Sequence, residues 1–366
     1  MERGFIVTWT LTMIVKNEEE GLAACLDSAA ELFDDIVIVD TGSTDSTPDI
    51  AAGYTKRVYH LDWQDDFSMA RNYALSLANT DYAVWLDGDD ILPKNSLKDW
   101  RALPELIERE APELVYLPYE MGGTPESPEL VFDRERVIRL GCGLRFEGEV
   151  HEAIPPRGRL IRADARVRHM GINKKSREPG RNLRIFEKIA ASGRALSPRE
   201  CLYFARELRA DGQTKRAAEY YKAAMSDSRA WQDIPASAAI ELGDLVASSQ
   251  GPEAAREYYL KSLAYGIPRQ DALCKLGWSF LEEGRLSEAE YWYKKAASSG
   301  EKPGMSLIPR DFYGYIPNLQ LCVIRDRLKD HAQAMRYNEL AGAFRPEGRE
   351  YLLNKEYFER IIGSGE

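Results

Sequence analysis

Histidine is nearly absent from this chain of 366 residues, with only four, and cysteine is scarce and scattered. The five cysteines (Cys25, Cys142, Cys201, Cys274 and Cys322) are odd in number and far apart. Such spacing excludes a CxxC-type metal knuckle and a disulfide framework, and it reads as reduced, mostly structural thiols of a cytoplasmic protein. No apolar run approaches the roughly twenty residues of a membrane span. The opening MERGFIVTWTLTMIV leads straight into a strand-like run, without a cleavage region of signal type. Positive charge is also in deficit, at 49 Lys and Arg against 59 Asp and Glu, a net charge of −10. That balance excludes an extended nucleic-acid surface, which needs an excess of cations. It leaves room for one phosphorylated ligand gripped through a metal. What remains is an ordinary globular composition, 44% hydrophobic and 30% charged, long enough for two domains.

One stretch organises the rest. Tyr82 to Leu92 reads YAVWLDGDDIL, an unbroken apolar run that meets Asp87, Asp89 and Asp90 with only Gly88 between them. Such a run suits a strand buried on both faces of a mostly parallel sheet. Its carboxylates then sit beyond the C-terminal end, where open α/β sheets bind ligands. Asp-x-Asp holds a hard divalent cation and leaves positions for phosphate oxygens and water. Taken alone, the same residues also fit an acidic turn.

The chain around this stretch alternates. Strands are predicted at Leu11 to Val15, Ile36 to Val39 (ending at Asp40), Arg57 to His60 and Leu114 to Tyr119. Helices are predicted at about Glu19 to Ala30, Phe67 to Leu77 and Leu97 to Glu110, with another opening after TGSTDSTP, where Ser46 or Thr47 is the cap and Pro48 lies in the first turn. This order predicts a parallel sheet with right-handed crossovers. From Gly122 to Met170, Gly, Pro and short alternating runs predict a mixed, partly antiparallel layer. A basic segment around Asn173 to Arg181 leads to an amphipathic helix, Leu183 to Ala190, and the domains divide as 1–190 and 191–366.

The second part is helical and repeats. Gly277, Phe280, Gly284, Ala289, Tyr293 and Ala296 have the small and aromatic spacing of a tetratricopeptide helix–turn–helix. Ala205, Leu208, Gly212, Ala217, Tyr221 and Ala224 form an earlier copy, and Gly243, Val246, Ala255 and Tyr259 a middle one. Cys322, Ala334, Ala341 and Pro346 give a weaker last copy.

Five ordered motifs now carry a resemblance: TMIVKNEE at 12–19, VDTGSTDST at 39–47, FSMARNYAL at 67–75, LDGDDIL at 86–92 and GEVHE at 148–152. Together they resemble the family 2 glycosyltransferases of GT-A fold, and the whole chain resembles bacterial members with tetratricopeptide repeats. The resemblance implies an α/β, Rossmann-like domain ahead of an all-α repeat domain. It implies that Thr12, Asp40, Arg71, Asp87 and Gly88 face a nucleotide sugar, in the UDP form. Asp89 then binds Mn2+ or Mg2+, with His151 or His169 completing the shell. The family's usual Asp-Glu ending is Asp89-Asp90 here, which leaves a direct role for Asp90 open. Glu152 is the first choice of general base, with Glu149 and Glu147 behind it. The processive synthases of the family have membrane spans and a Gln/Arg-rich Trp motif, and this chain has neither, so transfer of a single sugar is expected. The favoured acceptor is a Ser, Thr or Cys side chain of a peptide or protein presented by the repeats. A cell-envelope glycan or lipid-linked core sugar is the rival acceptor, and an inactive scaffold is the alternative from another class. A homodimer is left open.

Overall fold

The computed structural model describes residues 7–171, 178–226, 233–298, 300–301 and 304–363. The basic stretch read at 173–181 therefore lies partly outside the described residues. The chain forms two compact units, one reaching to Arg194 and including Gly304–Met305, the other made of the remainder from Ala195. The division falls a few residues beyond the one expected at 190, because the amphipathic helix before it is longer than its apolar pattern.

The first unit is built on one sheet. Its strands are β1 (Trp9–Val15), β2 (Asp35–Asp40), β3 (Val58–His60), β4 (Tyr82–Leu86), β5 (Asp90–Ile91), β6 (Leu114–Met121), β7 (Leu130–Arg139), β8 (Leu160–Arg162) and β9 (Val167–His169). They lie in the order β3-β2-β1-β4-β7-β6-β9-β5, with β8 beside β6. The β3-β2-β1-β4 half is parallel, as expected for strands joined by helices. Every residue of β4 is buried. β7 then runs antiparallel between β4 and β6, which realises the mixed layer expected after Gly122.

Helices α1 (Leu22–Ala29), α2 (Thr47–Ala52), α3 (Phe67–Leu77), α4 (Leu97–Glu110) and α5 (Arg181–Ala191) complete this unit. In α3 the small residues Ala70 and Ala74 are buried, and Ala74 packs with Val37 and Val39 of β2. Asp66 caps the helix, accepting from the Met69 N–H at 2.8 Å. α1 starts three residues later than its sequence suggests. Asn17 adopts a left-handed backbone, φ +54°, and Gly21 lies so near the Asp87–Asp89 turn that a Cβ there would fall 3.1 Å from the Gly88 carbonyl. Ser46 stands at the N-cap of α2, as expected, with Pro48 in the first turn. Ser46 makes no side-chain cap, and Asp45 accepts from the Thr47 N–H instead.

The second unit is all helix among its described residues: α6 (Pro198–Ala210), α7 (Thr214–Ser226), α8 (Asp233–Gln250), α9 (Pro252–Ser262), α10 (Gln270–Glu282), α11 (Leu286–Ser298), α12 (Tyr315–Arg327), α13 (His331–Phe344) and α14 (Arg349–Gly363). Paired helices approach closely where the repeat residue is glycine. A Cβ on Gly243 would fall 2.5 Å from the Tyr259 ring, and one on Gly277 2.8 Å from the Tyr293 ring. The earlier copy has buried Ala205 and Tyr221 in these places. The last copy has Cys322 and the buried Asn338, whose amide donates to the Tyr351 carbonyl at 3.1 Å. Loss of the aromatic at that place is why its sequence signature is weak.

Gly277→Ala is expected to destabilise the helical unit. Alanine favours a helix by up to ~1 kcal/mol over glycine, but forcing a methyl group against a packed ring costs about 1–3 kcal/mol. Tyr293 is 1% exposed and has little freedom to yield. The crowding therefore outweighs the propensity, and thermal unfolding followed by circular dichroism should give a lower midpoint. An unchanged or higher midpoint would contradict the close approach.

Candidate active site

The acidic motif turns where β4 ends, and the residues it gathers come from distant parts of the first unit. They surround a cavity of about 340 Å³, whose wall includes Val15, Thr41, Arg71, Asp87, Asp89, Glu152 and His169. This is the ligand position of an open α/β sheet, beyond the carboxyl ends of parallel strands.

Arg71 is the link between its two halves. It projects from α3, is 7% exposed, and lies 4.2 Å above the Trp85 ring. Its Nη2 donates to Asp87 Oδ1 at 2.7 Å and its Nε to Glu152 Oε1 at 2.6 Å. Burial works against charge on Arg71, but the two carboxylates overcome it and hold the guanidinium protonated. Burial likewise opposes ionisation of Asp87, and the Arg71 and Arg136 charges reverse that effect and depress its pKa strongly. Glu152 Oε2 makes no hydrogen bond among the described residues, so this oxygen remains available to a ligand proton. Gly88 lies against Glu18, whose Cγ would sit 2.8 Å from a Cβ there.

Asp89, Asp90 and His169 form a second group. One ligand atom from each lies within 4.8 Å of the others. His169 Nδ1 is 3.3 Å from Asp89 Oδ1 and 3.5 Å from Asp90 Oδ1, and it is buried without a well-formed hydrogen bond. Burial lowers the pKa of this ring, yet the two carboxylates raise it to about 9. The cluster therefore demands positive charge. Two carboxylates and an imidazole suit a hard divalent cation with oxygen and nitrogen ligands, held at roughly 2.0–2.6 Å, so the residues present fit Mn2+ or Mg2+.

Asp90 differs from Asp89 in how far its oxygens are already engaged. Oδ1 accepts from the Tyr119 hydroxyl at 2.7 Å, and Oδ2 accepts from the Asp87 N–H at 3.0 Å. Arg136 Nη2 lies 3.1 Å from Oδ2, with both side chains wholly buried. Arg136 also donates to the Trp85 carbonyl at 3.1 Å and lies 3.8 Å above the Trp85 ring. Sequence reading missed Arg136 and Tyr119. The available signal was a charged pair, Glu135-Arg136, in the strand run that continues into Val137 and Ile138.

Thr12 and Asp40, expected to face the donor, lie off the cavity wall. Thr12 does not reach the cavity: it is 2% exposed, and its hydroxyl donates to the Val84 carbonyl at 3.2 Å. The cavity begins further along β1, at Ile14 and Val15, because a parallel sheet offers ligands its strand ends. Asp40 is 6% exposed and caps the turn after β2, accepting from the Gly42 and Ser43 N–H groups at 3.2 Å; Thr41 lines the wall in its stead. The first two motifs also bind each other. Asn17 Oδ1 accepts from the Thr44 N–H at 2.8 Å, and Thr47 Oγ1 accepts from the Glu18 N–H at 2.7 Å.

GEVHE is a loop closed by a bridge between Glu147 and Ala153. His151 lines the cavity but is not in the Asp89–Asp90–His169 group. Its backbone is left-handed, φ +54°, and its ring stacks on Phe186 of α5 at 6.4 Å. Glu149 is turned to Arg194, whose Nη2 donates to it at 2.9 Å. Glu147 lies 3.9 Å from Arg157 at the surface.

Comparison with known proteins agrees with this architecture. Residues 10–111 match Glycosyl transferase family 2. The chain is 35% identical over 147 residues to a TPR repeat-containing protein of Synechococcus elongatus, covering 40% of this chain and 35% of that protein. It is 25% identical over 248 residues to the SPbeta prophage-derived glycosyltransferase SunS of Bacillus subtilis, covering 63% of this chain and 56% of the relative. It is 33% identical over 161 residues to the lipopolysaccharide core biosynthesis glycosyltransferase LpsC of Rhizobium meliloti, covering 40% and 57%. The chain thus spans between 35% and 57% of the length of these relatives. A family 2 glycosyltransferase domain over residues 10–111, followed in sequence by a unit of paired helices, is what this chain contains.

Proposed function

We propose that this protein is a metal-dependent, inverting glycosyltransferase that moves one sugar from a nucleotide sugar, in the UDP form, to a peptide or protein side chain. The observation that carries the reading is the linked set Asp87–Arg71–Glu152 facing Asp89 and His169 around one cavity. Asp89 and His169 would hold Mn2+ or Mg2+, which neutralises charge on the departing nucleoside diphosphate. Asp87 and Arg71 orient the donor and fix the local charge. Glu152 Oε2 takes the proton of the acceptor hydroxyl or thiol as that atom bonds to the anomeric carbon. The bond from that carbon to the phosphate oxygen breaks on the opposite face, and the nucleoside diphosphate leaves. Arg71, bonded to Glu152 Oε1 at 2.6 Å, keeps that carboxylate correctly turned.

A peptide acceptor is supported by a second cavity, of about 540 Å³, within the helical unit. Trp278, Phe312 and Ile316 give it an apolar wall, and Asp244, paired with Lys275 at 2.6 Å, a polar one. Concave surfaces of repeat arrays bind extended partners in this manner. Similarity to a lipopolysaccharide core glycosyltransferase favours the second reading, an envelope-glycan acceptor.

Incubation with a panel of nucleotide sugars and Mn2+ or Mg2+ tests the donor, with released nucleotide as the readout. Mass spectrometry of candidate peptides and core oligosaccharides then distinguishes the acceptors. Release of UDP from one sugar donor and a mass gain of one sugar on a peptide is the expected result. No release from any donor would overturn the reading, and a gain on the oligosaccharide alone would favour the second.

A further inference from the structure

We propose that Arg136 and Tyr119 are positioning residues for the metal, acting through Asp90 to hold Asp89 and His169 at a fixed separation. The inference rests on the metal-dependent reading above. Asp90 is the residue through which the two ligand-bearing segments meet. Its backbone pairs with His169, because β5 and β9 run antiparallel with Asp90 opposite His169. The adjacent Met170 N–H donates to the Asp89 carbonyl at 2.9 Å. The Asp90 side chain reaches back to the Asp87 N–H at the end of β4. Its carboxylate therefore fixes the strand of His169 relative to the turn that carries Asp87 and Asp89.

That carboxylate keeps its orientation only while its partners do. Tyr119 on β6 and Arg136 on β7 approach it from two neighbouring strands. Arg136 is itself fixed by the Trp85 carbonyl and stands over both Trp85 and Tyr119, 3.8 and 4.3 Å from their rings. Side chains of this kind, one step removed from the ion, orient its ligands. Neither Arg136 nor Tyr119 lines the cavity, so neither is placed to touch donor or acceptor. With two hydrogen bonds and the Arg136 charge on its two oxygens, Asp90 acts as a brace, and Asp89 and His169 are left to face the ion.

The test is Mn2+ binding by the full chain without donor, read from the electron paramagnetic resonance signal of free Mn2+. Tyr119→Phe removes one hydroxyl and keeps the ring, and it is expected to weaken Mn2+ binding by about tenfold at an unchanged melting temperature. Arg136→Met should weaken it more, toward about a hundredfold, and Arg136→Lys should recover part of the loss by restoring charge beside Asp90. High Mn2+ should bring transfer by Tyr119→Phe back toward the parent rate, which a damaged fold would not allow. If Arg136→Met fails to fold, Tyr119→Phe decides alone. Parental Mn2+ affinity in Tyr119→Phe would overturn the brace while leaving the metal reading intact. No Mn2+ binding by the parent protein would overturn both.

Discussion

Asp89→Ala should abolish transfer, and chelation of the parent protein with EDTA should do the same reversibly. Among the described residues the Asp89 carboxylate meets only the His169 ring, at 3.3 Å, so its loss leaves the ion without its most exposed acidic ligand. A bound divalent cation contributes several kcal/mol to stabilising the leaving group, and a loss of about 4 kcal/mol corresponds to roughly a thousandfold in rate. The effect on stability should be small, because Asp89, 5% exposed, is repelled by the neighbouring Asp90 carboxylate and attracted by His169 at 3.3 Å, and its removal loses both. Steady-state rates and a melting curve measured on one preparation separate the two effects. Full activity in metal-free buffer would contradict the assignment, as would an Asp89→Ala protein inactive only because it is unfolded.

Glu152→Gln should lower turnover by a factor on the order of 100 or more, since a positioned base typically contributes that much. The amide oxygen of glutamine can still accept from Arg71 Nε, and Arg71 remains paired with Asp87. Donor binding should therefore stay close to the parent value, with the loss confined to kcat. Glu149→Gln provides the comparison. Glu149 engages Arg194 and does not line the cavity, so its effect should be mild. A crippled Glu149→Gln beside an active Glu152→Gln would move the base to Glu149. A thiol acceptor would shrink the Glu152 effect, because a thiolate forms with less help than an alkoxide. Comparing serine- and cysteine-containing peptides would reveal that.

Much of this molecule is determined by local sequence. The run YAVWL suits a strand buried on both faces, and it marks β4 and the place where its acids emerge. Small and aromatic residues at helical spacing specify the paired helices, because ring and glycine must meet wherever two helices close on each other. Arg71, Asp87 and Glu152 were each visible as polar residues in motifs. Tertiary structure alone decided that one guanidinium joins the two carboxylates. It also placed the two candidate histidines in different surroundings. His151 and His169 are equally plausible ligands in sequence, but His151 sits in a left-handed turn against Phe186, whereas strand pairing sets His169 opposite Asp90. Thr12 and Asp40 were assigned to the ligand by motif and placed by the fold within the sheet and on a turn. The physical reason is the same in each case. Periodicity and turn chemistry act between near neighbours and can be read along the chain. The partner of a buried charge is chosen by strand order, and the insertion of β7 between β4 and β6 is what delivers Arg136 to Asp90.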